Sequence, residues 1–219
     1  MIRLHHCAQT RSMRTLWLLH ELGVEFEVVS HAFGKNLRSV EYLALNPAGR
    51  VPALEIDGDT MFETGAITEY LCELYPETGM GRLPGEDERR DWLVWLHFAE
   101  TISQHSAALT QQHIALYDAS MRSAIVTRLE AKRLEKCYGA IEARLAESGD
   151  YLLKGGFSAA DISVGQALYM SLHFARLDAF PLVTSWYRRL TLRDGFIASE
   201  PKELETRLYP KEFYEPWEG

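Results

Sequence analysis

The first 75 residues alternate between two spacings of apolar positions. Ile2, Leu4 and His6 occupy alternate positions, as on one face of a strand. Thr10-Arg11-Ser12 follows, with hydroxyls suited to capping a helix start. Met13, Leu16, Trp17 and the run from Leu19 to Leu22 then fall at helical spacing, and Gly23 ends it. Phe26 to Val29 predicts a second strand, and Ser39 to Leu45 a short helix closed by Asn46-Pro47-Ala48-Gly49. Pro52 to Ile56 and Thr60 to Glu63 flank Asp57-Gly58-Asp59, a hairpin signal because glycine tolerates the positive φ of such turns. A helix through Ile67, Tyr70, Leu71 and Leu74 stops at Pro76. The order β-α-β-α-β-β-α implies a mixed four-stranded sheet flanked by helices.

Beyond a Pro- and Gly-rich stretch the strand signals fade. Trp92, Trp95, Leu96 and Ala99 share one helical face, as do Leu134, Tyr138, Ile141 and Leu145. Phe157 to Ile162 opens a later helix, with Ser158 and Asp161 as a capping box and Phe157 able to staple against Ile162. From Pro201 onward an irregular packed tail is expected. The division is therefore a domain over 1–76, a linker over 77–85 and an all-helical domain over 86–219.

Composition narrows the function. Of 219 residues, 23 are Lys or Arg and 31 Asp or Glu, a net charge of −8. That disfavours a broad nucleic-acid interface, which needs a basic face. No apolar run approaches the roughly 20 residues of a membrane span, and the N-terminus lacks the apolar core of a signal peptide. Cys7, Cys72 and Cys137 are widely spaced and odd in number, which argues against a disulfide framework or a metal site. A cytoplasmic protein is expected, without membrane or nucleic-acid partners.

Four segments in this order carry a resemblance: Cys7 to Arg14 after the first strand, Asn46 to Leu54, Glu63-Thr64-Gly65-Ala66-Ile67, and the capped helix start at Phe157 to Ile162. Together they resemble the cytosolic glutathione transferase superfamily, and the N-terminal run is similar to bacterial and fungal members near the theta-like branch. The resemblance implies a thioredoxin-like N-terminal domain that binds glutathione and an all-helical C-terminal domain. It implies a cis Val51-Pro52 bond, with the Val51 backbone pairing the cysteinyl residue of glutathione like an added strand. Glu63 and Thr64 match the pair that holds the γ-glutamyl end. Arg50 matches a basic position meeting the glycine carboxylate, with Lys35 and Arg38 as assistants.

The chemistry to be performed is thiol ionisation. A thiol of pKa near 8.5 is only ~3% thiolate at pH 7, and lowering its pKa by about two units takes ~2.7 kcal/mol. One hydrogen bond to the charged sulfur supplies roughly 1.5–3 kcal/mol. Cys7 falls where theta-like relatives carry a catalytic Ser, and Thr10 and Ser12 are the alternative donors. Cys7 is alternatively a nucleophile itself, its pKa expected to fall before a helix N-terminus and near Arg11, in a thiol transferase that forms a mixed disulfide. A non-catalytic binding module on the same fold is the third reading. The second substrate is expected to be an apolar electrophile held between the domains, with His97, Thr101, His105 and Tyr117 as lining candidates. The resemblance also implies a homodimer, with Glu100 reaching glutathione on a partner subunit.

Overall fold

In the computed structural model, which describes residues 1–202, 205 and 207–217, four strands form one mixed sheet in the order β2-β1-β3-β4. β1 (Ile2–His6) pairs in parallel with β2 (Phe26–Ser30) and antiparallel with β3 (Ala53–Ile56), which pairs antiparallel with β4 (Asp59–Phe62). The β3–β4 turn is two residues, Asp57 and Gly58, both with positive φ, as the tightest hairpins require.

Between β1 and β2 runs α1 (Ser12–Leu22), which Gly23 closes at φ 67° with its N–H on the His20 carbonyl. Arg11, at the N-cap of α1, makes no side-chain cap, and of the hydroxyls expected there Thr10 accepts the Ser12 N–H at a long 3.4 Å. α2 (Val40–Leu45) is capped by Ser39, whose side chain accepts the Tyr42 N–H, and α3 (Thr64–Leu74) follows β4. Leu4, Met13, Trp17, Leu18, Leu54 and Ile67 fill the interior between sheet and helices, each fully buried.

The remaining helices are α4 (Arg89–Thr110), α5 (Ala124–Ser148), α6 (Ala159–Ser171), α7 (Pro181–Thr191) and α8 (Asp194–Ser199). A wide turn over Gln111–Ala115 continues from α4. The α6 capping box forms as its sequence predicts. Asp161 accepts from Ser158 N (3.0 Å), Leu152 N (2.9 Å) and Trp186 Nε1 (2.9 Å), fastening α7 and the preceding loop to α6. Tyr138 OH meets Ser171 Oγ at 2.6 Å, and Glu142 accepts the Leu182 and Val183 amides at the start of α7.

The chain divides into two compact units, residues 1–89 with 191–208 and residues 90–190 with 209–219. The sequence division ran the second domain unbroken from 86 to 219. The difference is α8, whose Arg193 makes a bidentate pair with Glu21 of α1 (2.8 and 2.6 Å). Phe196 meets Trp17 edge-on at 5.1 Å. These contacts span more than 170 residues and leave no local signature. In the second unit Tyr209 and Tyr214 of the irregular tail are buried. No helix among the described residues is long and apolar enough to cross a membrane.

Candidate active site

Three loops of the first unit, at the C-terminal end of β1 and the starts of β3 and α3, converge on one cleft. In the β1–α1 turn Gln9 takes a positive φ of 53°. That turn is held by hydroxyls folded inward. Ser12 Oγ accepts the Cys7 N–H at 3.0 Å and sits 2.8 Å from His6 Nδ1. Thr10 Oγ1 donates to the Cys7 carbonyl at 2.8 Å and lies 2.9 Å from Ser12 Oγ. Ser12 is fully buried and Cys7 is 1% exposed.

Cys7 Sγ donates to the His31 carbonyl. Burial, with a smaller contribution from the charge of Glu205, pushes its thiol up to about 11. The direction is opposite to the depression expected from the helix start and Arg11, because the thiolate is removed from water. His6, also desolvated, is pushed down to about 4 and stays neutral at pH 7.

The second loop is the approach to β3. The Asn46 side chain donates to the carbonyls of Arg50 (2.7 Å) and Pro52 (3.3 Å) and accepts the Ala48 N–H (3.0 Å). Tyr42 OH donates to the same Arg50 carbonyl at 2.7 Å. Asn46 is thus more than a helix stop, because its amide clamps both ends of the Val51-Pro52 peptide, which is cis as expected. Gly49, at φ 61°, is required here; a Cβ would lie 2.9 Å from the Leu37 carbonyl oxygen.

The third loop is the β4–α3 junction. Glu63 holds φ 74° and ψ 111°, a strained conformation for a side-chain-bearing residue, and leads directly into the first turn of α3. Thr64 is buried and accepts from Arg14 Nη1 at 2.8 Å, while Glu63 is exposed.

The first two loops, with the segment after β2, line a cleft of about 420 Å3, bordered by Thr10, Arg11, Lys35, Arg38, Arg50 and Val51. It adjoins a narrower pocket of about 30 Å3 bordered by Arg11, Arg50, Val51, Pro52, Glu63 and Thr64. The wider cleft carries four cations and no carboxylate. No carboxylate among the described residues forms an ion pair with Lys35, Arg38 or Arg50. A second groove of about 1130 Å3 runs along the β2 edge, but Glu25, Glu27, Glu200 and Glu205 make it unsuited to an anion.

The structure therefore brings Thr10, Arg50, Val51, Pro52, Glu63 and Thr64 to one place, and Lys35 and Arg38 with them. Cys7 and Ser12 lie behind the turn instead. His97, Thr101 and Tyr117 are exposed on the second unit, and His105 Nδ1 is engaged by Glu130 at 2.6 Å. Arg11, expected beside Cys7, borders the cleft, while two residues escaped the sequence reading as site components: Tyr42 beneath Arg50, and Arg14 beneath Thr64. Only Arg14 left a trace, a cation three and four residues ahead of Trp17 and Leu18 on a buried helix face.

Comparison with known proteins identifies the family. The profile described as "Glutathione S-transferase, N-terminal domain" matches residues 1–73, and that described as "Glutathione S-transferase, C-terminal domain" matches residues 107–189. The chain is 31% identical to glutathione S-transferase 3 of Zea mays, over 84% of this chain and 86% of the relative. It is 29% identical to glutathione S-transferase F13 of Arabidopsis thaliana, over 86% and 89%. Its fold matches a glutathione transferase from Phanerochaete chrysosporium, solved with oxidised glutathione, at a TM-score of 0.81 and 23% identity, covering 90% of this chain and 92% of that one. A thioredoxin-like sheet, a cation-lined cleft at its loop end and a helical second unit thus have one shared context: the chain belongs to the glutathione S-transferase family.

Proposed function

We propose that the cleft binds reduced glutathione and ionises its thiol for attack on an apolar electrophile. The observation that carries this reading is the order of charges along the cleft. Glu63, Thr64 and the α3 N-terminus border only the narrow pocket, Lys35 and Arg38 only the wider cleft, and the Val51 backbone with Arg50 and Arg11 borders both. Glutathione presents an ammonium with a carboxylate, a peptide unit, and a second carboxylate in the same order. The Glu63 carboxylate meets the ammonium, the Thr64 hydroxyl and first turn of α3 meet the γ-glutamyl carboxylate, and Arg50 meets the glycine carboxylate. Val51 N–H and C=O pair with the cysteinyl residue.

Of the three candidate activators, Thr10 is the one bordering the cleft. Its hydroxyl turns from the Cys7 carbonyl to donate to the thiolate, and the Arg11 guanidinium beside it lowers the thiol pKa further. The thiol proton leaves to solvent. The sulfur lone pair then forms a C–S bond as the electrophile's leaving group departs with its bonding pair, or as an activated double bond takes up a proton.

Ultraviolet absorbance of thiolate during a glutathione titration at neutral pH tests the reading. A saturable signal is expected in wild type and in Cys7→Ala, and a much smaller one in Thr10→Val. Loss of the signal in Cys7→Ala with retention in Thr10→Val would reverse the assignment. No signal in wild type would favour a non-catalytic binding module.

A second copy of the chain is the proposed partner. Phe62 on β4, with Tyr70 and Leu74 on α3, leaves apolar surface 38–43% exposed that a homodimer would cover. Sedimentation equilibrium reads the oligomeric state directly.

A further inference from the structure

β2 stands last in the strand order, and its one ladder among the described residues is the parallel pairing with β1. Its other side leaves a row of backbone N–H and C=O groups over Phe26–Ser30, five residues that span about 17 Å at ~3.3 Å each. Proteins usually blunt such an edge with proline, lysine, a bulge or a covering element. Here a groove of about 1130 Å3 runs beside it instead, bordered by residues of the first unit.

Two features of the groove define what fits it. The first is apolar alternation. Phe26 and Val28, two apart on one face of β2, border the groove with Ile2, Leu16 and Val24, and Val28 is 42% exposed. The second is charge. Glu25, Glu27, Glu200 and Glu205 border it, against Lys202 as the one cationic side chain among the described lining residues. Arg3 already meets Glu27 at 2.9 Å, and Glu205 is engaged by the Ser30 hydroxyl (3.2 Å) and the Lys202 N–H (2.9 Å). Glu25 and Glu200 are exposed and form no ion pair among the described residues.

We propose that this edge docks an extended, lysine- or arginine-rich segment of a partner protein, which adds to β2 as a further strand. The segment's backbone pairs with the outer row of β2, its alternate apolar side chains rest on Phe26 and Val28, and its cations meet Glu25 and Glu200. Charge selects this occupant. A second copy of the chain would set two acidic edges against each other, and like charges placed opposite are destabilising. A free polyamine would meet the carboxylates but leave the backbone row unpaired. The groove shares no bordering residue with the cationic cleft, so docking here is independent of glutathione.

The probe is a capped, fluorescent peptide of about six residues, a common strand length, that alternates lysine with valine. Fluorescence anisotropy reads its binding and amide hydrogen exchange locates it. Saturable binding is expected, with slowed exchange over residues 26–30. The same peptide N-methylated at every backbone nitrogen keeps its charge and should bind far more weakly. Glu25→Lys combined with Glu200→Lys should weaken binding about 10-fold or more, with circular dichroism unchanged. If that variant does not fold, Glu25→Gln with Glu200→Gln carries the same comparison with a smaller loss. No binding of the peptide at millimolar concentration, protection confined to other segments, or equal binding of the N-methylated peptide would overturn the proposal. So would undiminished binding to the substituted protein, or equal affinity for spermine, which would make the groove a site for small amines.

Discussion

Ser12 Oγ lies 2.8 Å from His6 Nδ1, and neither side chain is more than 2% exposed. The same oxygen accepts the Cys7 N–H, so one hydroxyl ties the end of β1 to the start of α1. This makes Ser12 a residue of the scaffold. Ser12→Ala would leave the Cys7 amide and the His6 ring without that partner in the interior, costing ~1–3 kcal/mol. A lower urea midpoint is expected, with the thiolate signal of bound glutathione unchanged in the folded variant. Loss of that signal without loss of stability would return Ser12 to the active centre.

Cys7 should be chemically quiet. A thiol at about 11 is roughly one part in 10,000 thiolate at pH 7. Peptide mapping after iodoacetamide treatment should show slow labelling of Cys7 in the native protein and rapid labelling in urea. Stoichiometric native labelling within minutes would restore the nucleophile reading.

Acid should destabilise the first unit earlier than carboxylate titration alone would bring about. The folded state holds His6 near 4, whereas the unfolded chain protonates it near 6.5. Between those values the unfolded state binds more protons. The stabilisation of up to about 3 kcal/mol is therefore fully present above pH 6.5 and is lost as pH falls toward 4. Burial lowers His20 and His31 as well, with the same sign. Unfolding midpoints measured from pH 7.5 to 4.5 should fall steeply in wild type and less so in His6→Asn. Parallel slopes in the two proteins would contradict the assignment.

In the second unit Asp161 gathers donors from three separate segments, at Leu152, Ser158 and Trp186. Removing the carboxylate strands all of them in a fully buried place. Asp161→Ala is expected to cost roughly 3 kcal/mol or more and to weaken the near-ultraviolet dichroism of Trp186. A change below about 1 kcal/mol would mean that water replaces the carboxylate.

The residues that were legible in the sequence are those whose partners sit within a turn or a strand of them. Alternation gave β1, the positive-φ pair gave the β3–β4 hairpin, Gly23 closed α1, and Ser158 with Asp161 opened α6. The family's residues at Arg50, Val51, Pro52, Glu63 and Thr64 do meet at one cleft. The rest depended on groups far along the chain. Which hydroxyl meets the cleft follows from how the Gln9 turn buries Ser12 and leaves Thr10 at its edge. The Cys7 thiol answers to desolvation and to a carbonyl 24 residues away, so its position before a helix pointed in the wrong direction. The Arg193–Glu21 pair drew α8 into the first unit, and the Arg14–Thr64 contact joined two helix starts. By itself the sequence determined the order of elements and the kind of cleft, because periodicity, capping and turn chemistry act over a few residues. Only the tertiary structure decided which side chains are dry, charged and aimed at a ligand, because solvation is set by everything packed around a group.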